Sequence, residues 1–172
     1  NALLCIETTR LRTIMRILFG ELISEYLAKD DNIWMLTGDL GFGVLNKARE
    51  TTPERVYNVG AAEQLMLGAA VGLSHNNKIA ICYSITPFVI FRPYEFLRNY
   101  LNHELAPVKL VGAGRDKDYG HLGFSHWAED DAAALSVFPN ISIFKPETEK
   151  DLSSIFEEFL YNNKPSYLNL CR

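Results

Sequence analysis

Cysteine is scarce in this chain of 172 residues, with three in all. Cys5, Cys82 and Cys171 lie far apart, no Cys-x-x-Cys pair occurs, and no Cys/His spacing suits zinc. A disulfide framework and a structural metal site are therefore not expected, and a reducing, cytoplasmic setting fits. Charge of one sign is also missing. The formal net charge is −4 and the basic residues form no stripe, which argues against a nucleic-acid surface. No apolar run reaches the roughly 20 residues of a membrane span. Asn1 to Thr13 includes Leu3, Leu4 and Ile6, but it is too short in apolar content and too poor in basic lead for a secretory signal. Met15 reads as a possible natural start. The expected organisation is an extension over residues 1–14 and one domain over 15–172.

What is present is an ordinary globular composition, 48% hydrophobic and 22% charged, long enough for one sizeable core. Apolar residues at helical spacing mark Met15–Lys29, Ala61–His75, Phe91–His103, His126–Phe138 and Thr148–Tyr161. Short apolar runs mark strands at Ile33–Thr37, Arg55–Val59, Lys78–Tyr83, Val108–Gly112, Ile141–Phe144 and Ser166–Leu170. This alternation predicts an α/β fold, a mostly parallel sheet flanked by helices on both faces. Ligands of such sheets sit beyond the carboxyl ends of the strands. Four segments should meet there: the Gly38–Gly43 loop, the start of the Ala61 helix, the turn from Ser84 to Phe91, and the loop from Gly112 to His126.

Glu63 stands in the small, apolar segment Val59–Leu73, where nothing adjacent in sequence neutralises it. Such a carboxylate is costly to bury and can hold or transfer a proton. It can equally be a first-turn residue favoured by the helix dipole. Ile85, Phe88 and Phe91 recur every three residues after a strand, either as core or as a platform on which a flat ligand stacks. His126 and, with less support, His121 follow a glycine-rich stretch and suit either proton transfer or a solvated surface. Arg92 and Arg115 suit a substrate phosphate or surface ion pairs. His75 and His103 end helices and carry no assigned chemistry. Gly38-Asp39-Leu40-Gly41-Phe42-Gly43 lacks the Lys-Ser/Thr ending of a phosphate loop and the spacing of a dinucleotide loop.

Taken together, the segments resemble the pyrimidine-binding domain of the transketolase family. Gly60-Ala61-Ala62-Glu63-Gln64 is similar to that family's Gly-Ile-Ala-Glu-Gln helix. Phe91-Arg92-Pro93-Tyr94-Glu95-Phe96-Leu97-Arg98 is similar to its Phe-Arg-Ala-Tyr-Asp-Gln-Ile-Arg stretch. Ser125-His126 with Glu129-Asp130 resembles Thr-His-Gln with Glu-Asp, and Pro139-Asn140-Ile141, Lys145-Pro146 and Pro165–Arg172 resemble the closing part of the domain. The resemblance runs from about Met15 to the end.

The resemblance implies thiamine diphosphate as cofactor, with magnesium bound mainly by a diphosphate-binding chain or domain elsewhere. Glu63 would bond a nitrogen of the aminopyrimidine ring and favour the imino tautomer, which removes the thiazolium proton. The ylid so formed attacks a ketose or 2-oxo acid carbonyl. Asp39, Ile85, Phe88 and Phe91 would line the cofactor, His126 would face the substrate, and Arg92, Arg115 and His121 would bind it. No metal ligand is expected in the chain itself. Ile85 stands where an aromatic residue is common.

The sequence also departs from the family's sugar-binding pattern. Leu122-Gly123-Phe124 stands where Asp-Gly precedes the Thr-His pair, and Gly112-Ala113-Gly114-Arg115 lacks a histidine found there in sugar-phosphate enzymes. Gly38-Asp39 and Asn76-Asn77 imitate a magnesium-diphosphate signature, but their gap is too long and a glycine is missing. The expected function is a transketolase-like transferase component moving a two-carbon ketol unit from a ketose such as a sugar phosphate. It would act as a dimer or other homo- or hetero-oligomer and be inactive alone. The alternatives are a deoxyxylulose-phosphate synthase-like or 2-oxo acid dehydrogenase beta-like component, and a non-catalytic assembly module.

Overall fold

A computed structural model describes the backbone of residues 2–171 and the side chains of residues 15–171. Cys5 and the extension over residues 1–14 lie outside the described side chains. The backbone of residues 2–14 belongs to one continuous helix, α1 (Ala2–Lys29), which runs through residue 14 into the domain. After it come β1 (Ile33–Thr37), α2 (Asn46–Thr51), β2 (Val56–Asn58), α3 (Glu63–His75) and β3 (Ile79–Ile85). They are followed by α4 (Thr86–Phe91), α5 (Tyr94–Phe96), a π-helical segment Leu97–His103, β4 (Lys109–Ala113), α6 (Asp131–Leu135), β5 (Ser142–Phe144), α7 (Glu149–Tyr161) and β6 (Ser166–Leu170).

The six strands form one sheet in the order β2-β1-β3-β4-β6-β5, and every pairing is parallel. β1, β3, β4 and β6 are near-continuous apolar runs because the sheet is covered on both faces. On one face, Phe19, Ile23 and Leu27 of α1, Ala48 of α2 and Leu152, Phe156 and Phe159 of α7 cover Met35, Tyr83 and Leu168. On the other, Met66, Leu67 and Ala70 of α3, Val89 and Ile90 of α4 and Leu135 of α6 cover Leu36, Cys82 and Leu110. β5 is short and partly exposed, as suits an edge. The fold is the expected α/β architecture with a parallel sheet between two helical layers.

Local chemistry accounts for several boundaries. Thr148 and Asp151 form a reciprocal capping box that starts α7. Arg55 is buried and donates to the Leu27, Asp30 and Ile33 carbonyls, closing the end of α1 with a cation. Three elements differ from expectation. The helix expected over Phe91–His103 begins earlier, at Thr86, where Pro87 is harmless in the first turn, and it is broken by Pro93, which has no N–H to continue it. The helix expected over His126–Phe138 is confined to Asp131–Leu135, because Phe124–His126 is a separate 3-10 turn after Gly123 at φ +84°. α2 lies in a stretch with no expected element.

The chain order reverses between β1 and β3. From β1 it moves outward to β2, then returns to β3 on the other side of β1. Open α/β sheets form their ligand crevice at such a switch point.

Candidate functional site

The residue that follows β1, Gly38, and Ser84 near the end of β3 face each other at this switch point, and Glu63 opens α3 between them. Its side chain is 1% exposed. Ser84 Oγ donates to Glu63 Oε1 at 2.7 Å. Arg92 Nη1 donates to Glu63 Oε2 at 2.5 Å. The carboxylate, which nothing adjacent in sequence neutralises, is paired with a cation 29 positions further along the chain. Periodicity could not show it, because the turn from β3 into α4 brings Arg92 back over the start of α3.

Glycine at position 38 is required by close approach. A Cβ there would lie 2.9 Å from Glu63 Oε1 and 3.0 Å from Ser84 Oγ. The absent side chain thus lets Glu63 and Ser84 pack directly against the Gly38 backbone.

Arg92 also lies over Phe88, with its guanidinium carbon 3.7 Å from the ring centroid. Phe88 meets His126 edge to face, ring centroids 4.9 Å apart. Ser125 Oγ is 3.0 Å from His126 Nδ1, and the Tyr119 ring is 6.4 Å from the imidazole. Glu63, Arg92, Phe88 and His126 thus form one continuous line of contacts. Phe91 is 42% exposed and stacks on Tyr94. Ile85 is half-buried at the strand tip. The trio expected as core or platform is divided between these surroundings.

Asp39 is exposed and adopts φ +54°. Its backbone N–H and its carboxylate both bond the Asn58 amide, which also accepts from the Gly60 N–H. Asn58 thereby joins the loop after β1 to the approach to α3. Arg49 of α2 donates to the Leu40 and Gly41 carbonyls and lies 5.2 Å from the Phe42 ring centroid, holding the rest of the Gly38–Gly43 loop. No sequence pattern marks either Asn58 or Arg49.

Arg115 is placed differently from expectation. It is buried, and its guanidinium donates to Asn169 Oδ1, the Asn169 and Pro146 carbonyls and Glu147. A substrate phosphate would have to displace these partners. Asn169 in turn donates from Nδ2 to Asp131 Oδ2 at 2.7 Å, and Tyr167 OH donates to the same oxygen at 2.8 Å. Burial, foremost, and the Asp131 charge push the Tyr167 phenol well above its ordinary range. One β6 amide therefore ties Arg115, at the start of the loop bearing His121 and His126, to Asp131, at its end. The Ala128 N–H donates to the Asp116 carbonyl at 2.7 Å and closes the loop between them. The available signal was a polar Asn169 inside an apolar closing strand. His121 is exposed on a 3-10 turn and has no contact with Glu63 or Phe88. Asn76 and Asn77 end α3, 13 residues long, so they stand about 20 Å along its axis from Glu63 and cannot act with Gly38-Asp39.

Residues 13–172 match the family described as "Transketolase, pyrimidine binding domain". The chain belongs to this family. It is 33% identical over 118 residues to a subunit of the apulose-4-phosphate transketolase of Actinobacillus succinogenes, covering 69% of the chain and 38% of that protein. It is 30% identical over 159 residues to a putative transketolase C-terminal section of Methanocaldococcus jannaschii, covering 92% of the chain and 50% of that protein. Among solved structures, a split-gene transketolase described as an inactive beta4 tetramer superposes with a TM-score of 0.78 at 28% identity, covering 91% of the chain and 50% of that one. This pyrimidine-binding domain spans half or less of the length of these relatives. No described helix is long and apolar enough to cross a membrane.

Proposed function

We propose that this pyrimidine-binding domain supplies the aminopyrimidine half of a thiamine diphosphate site in a transketolase-like transferase, with the diphosphate and magnesium held by another chain or domain. The observation that carries this reading is Glu63, buried at the switch point against Ser84, Arg92 and the Phe88 platform.

The residues present fit the flat, hydrogen-bonding end of the cofactor. Glu63 offers a carboxylate oxygen to a ring nitrogen, Phe88 and Phe91 offer aromatic faces, and Gly38 lets Glu63 and Ser84 pack close beneath the ring's place. Asp39 and Ile85 stand at the strand tips on either side. In this reading the magnesium belongs with the diphosphate, on the other polypeptide region.

Thiamine diphosphate, when bound, would supply the carbon nucleophile needed at a ketose carbonyl. Glu63, its side chain 1% exposed, would share a proton with the ring nitrogen. Arg92 compensates the carboxylate until the ring arrives, then swings from Oε2; its side chain is 42% exposed, which leaves room for that movement. His126 Nε2 gives or takes a proton at the substrate oxygen, and the Asn169-anchored loop fixes its position. Exposed Phe42, Leu65, Phe91 and Phe124 surround this end of the sheet and suit a large interface with the diphosphate-binding region.

The test is reconstitution. The domain is combined with a diphosphate-binding chain, thiamine diphosphate and magnesium, and two-carbon transfer from a ketose is followed. Activity is expected only in the complete mixture and is expected to vanish in Glu63→Ala. Equal activity of wild type and Glu63→Ala overturns the proposal. Turnover of a 2-oxo acid when no ketose reacts would instead point to a dehydrogenase-like component.

A further inference from the structure

At the end of the sheet opposite Glu63, the amino ends of β3 and β4 and the carboxyl ends of α3 and α7 line a half-open cavity of about 200 Å³. Ser74, Asn77, Lys78, Lys109, Tyr161 and Asn163 are its polar lining, and neither Asp nor Glu is among the lining residues. Lys109 is 1% exposed. Its Nζ donates to Asn162 Oδ1 at 2.5 Å and to the Lys164 carbonyl at 2.7 Å. Both acceptors are neutral, and an ammonium carries three donors. Among the described residues no carboxylate pairs with it.

A buried ammonium without a counter-ion is costly, and proteins normally pair or neutralise such a charge. Holding the turn after α7 accounts for two of its donors but not for a second lysine on the same cavity. Lys78 lines it as well, steadied by Asn32 Oδ1 at 2.9 Å. Asn77 and Asn163 sit in left-handed turns at φ +59° and +50° on its rim, and their side-chain amides are exposed and free of protein partners among the described residues. Outside the lining, Asp30 accepts from the Tyr161 hydroxyl, and Glu157 also lies near that phenol.

We propose that this cavity is a binding site for a small phosphate-type oxyanion, held by Lys109 and Lys78 with the Asn77 and Asn163 amides as further donors. The volume suits an ion or a compact phosphorylated group rather than a large ligand. Two point charges and neutral amide donors are what a phosphate oxygen cluster needs. Burial lowers the Lys109 ammonium to about 7, and an anion would restore the counter-charge it lacks. The site stands at the far end of the sheet from Glu63 and does not rest on the thiamine reading.

The experiment titrates inorganic phosphate into the full chain below pH 7, against chloride at equal ionic strength, and follows backbone amide and lysine side-chain resonances. Saturable shifts at Asn77, Lys78, Lys109 and Asn163 are expected with phosphate and not with chloride. Lys78→Gln changes a half-exposed residue, so folding is retained; it is expected to weaken phosphate binding by about tenfold. Lys109→Met is expected to abolish it. Phosphate shifts no different from those of chloride, or binding unchanged in Lys78→Gln, overturn the proposal.

Discussion

Arg92 lies over both Glu63 and Phe88, with Nη1 2.5 Å from Glu63 Oε2 and its guanidinium carbon 3.7 Å from the Phe88 ring centroid. A single side chain thus compensates the buried carboxylate and covers the aromatic face beside it. Any flat ligand that reaches Glu63 must first move this guanidinium.

Arg92→Met tests that relationship. Loss of the cation leaves Glu63 buried with only Ser84 as partner, and the expected cost is about 1–3 kcal/mol in denaturant unfolding. The figure is kept low because Arg92 is partly solvated. Adding thiamine diphosphate and magnesium to the assembled protein is expected to raise the melting temperature more for the variant than for wild type. An equal rise in both would show that Arg92 does not compete with the ligand.

Gly38→Ala places a methyl group against Glu63 Oε1 and Ser84 Oγ at about 3 Å. The carboxylate must shift, and overpacking of this kind costs about 1–3 kcal/mol. Reconstituted activity is expected to fall more than stability does, because pushing Oε1 aside turns the whole carboxylate and with it the Oε2 that Arg92 would give up to the ring. Full activity in a folded Gly38→Ala protein would show that the orientation of the Glu63 carboxylate does not matter to the reaction.

Asn169→Leu removes the amide that links Arg115 to Asp131. Two buried charges each lose a hydrogen bond, and a loss of about 3–5 kcal/mol in unfolding free energy is expected. In protein that remains folded, the His126 imidazole resonances are expected to move while those of His75 and His103 stay in place. His126 resonances unaltered in the folded variant would show that the loop is held without Asn169.

Lys109 makes stability depend on pH. Its unfolded-state value is near 10.5 and burial lowers it to about 7 in the folded chain. Between these values the unfolded chain binds more protons, so the Lys109 contribution to stability rises with pH across that window. Below it both states are protonated and the full cost of the buried cation remains. Urea unfolding of wild type and Lys109→Met on either side of the window isolates this contribution. The wild type is expected to gain on the variant as pH rises.

The strands and the long helices were legible because burial on both faces writes continuous apolar runs, and one-sided burial writes helical stripes. Ile33–Thr37 and Ser166–Leu170 carry the same limits in sequence and structure, and α7 differs only in assigning Thr148 to the cap. The Glu63 helix, the Phe88 and Phe91 rings and the loop bearing His126 also stood out in the sequence, since each interrupts a pattern: an acid among small residues, rings after a strand, glycines before a histidine. The break at Pro93 and the shortened helix after His126 were misplaced, because local apolar spacing continues through both while backbone hydrogen bonding does not.

By itself the sequence determined the layered parallel sheet, the acidic residue at the head of α3 and membership in a family of cofactor-binding domains. These follow from the order of apolar runs and from short motifs, which are one-dimensional properties. Only the tertiary structure decided that Arg92 neutralises Glu63, that Asn169 joins both ends of the His126 loop, and that Lys109 lies buried without a counter-ion among the described residues. Each of these unites residues from separate strands and helices, and such proximity exists only after the sheet has brought distant segments of chain together.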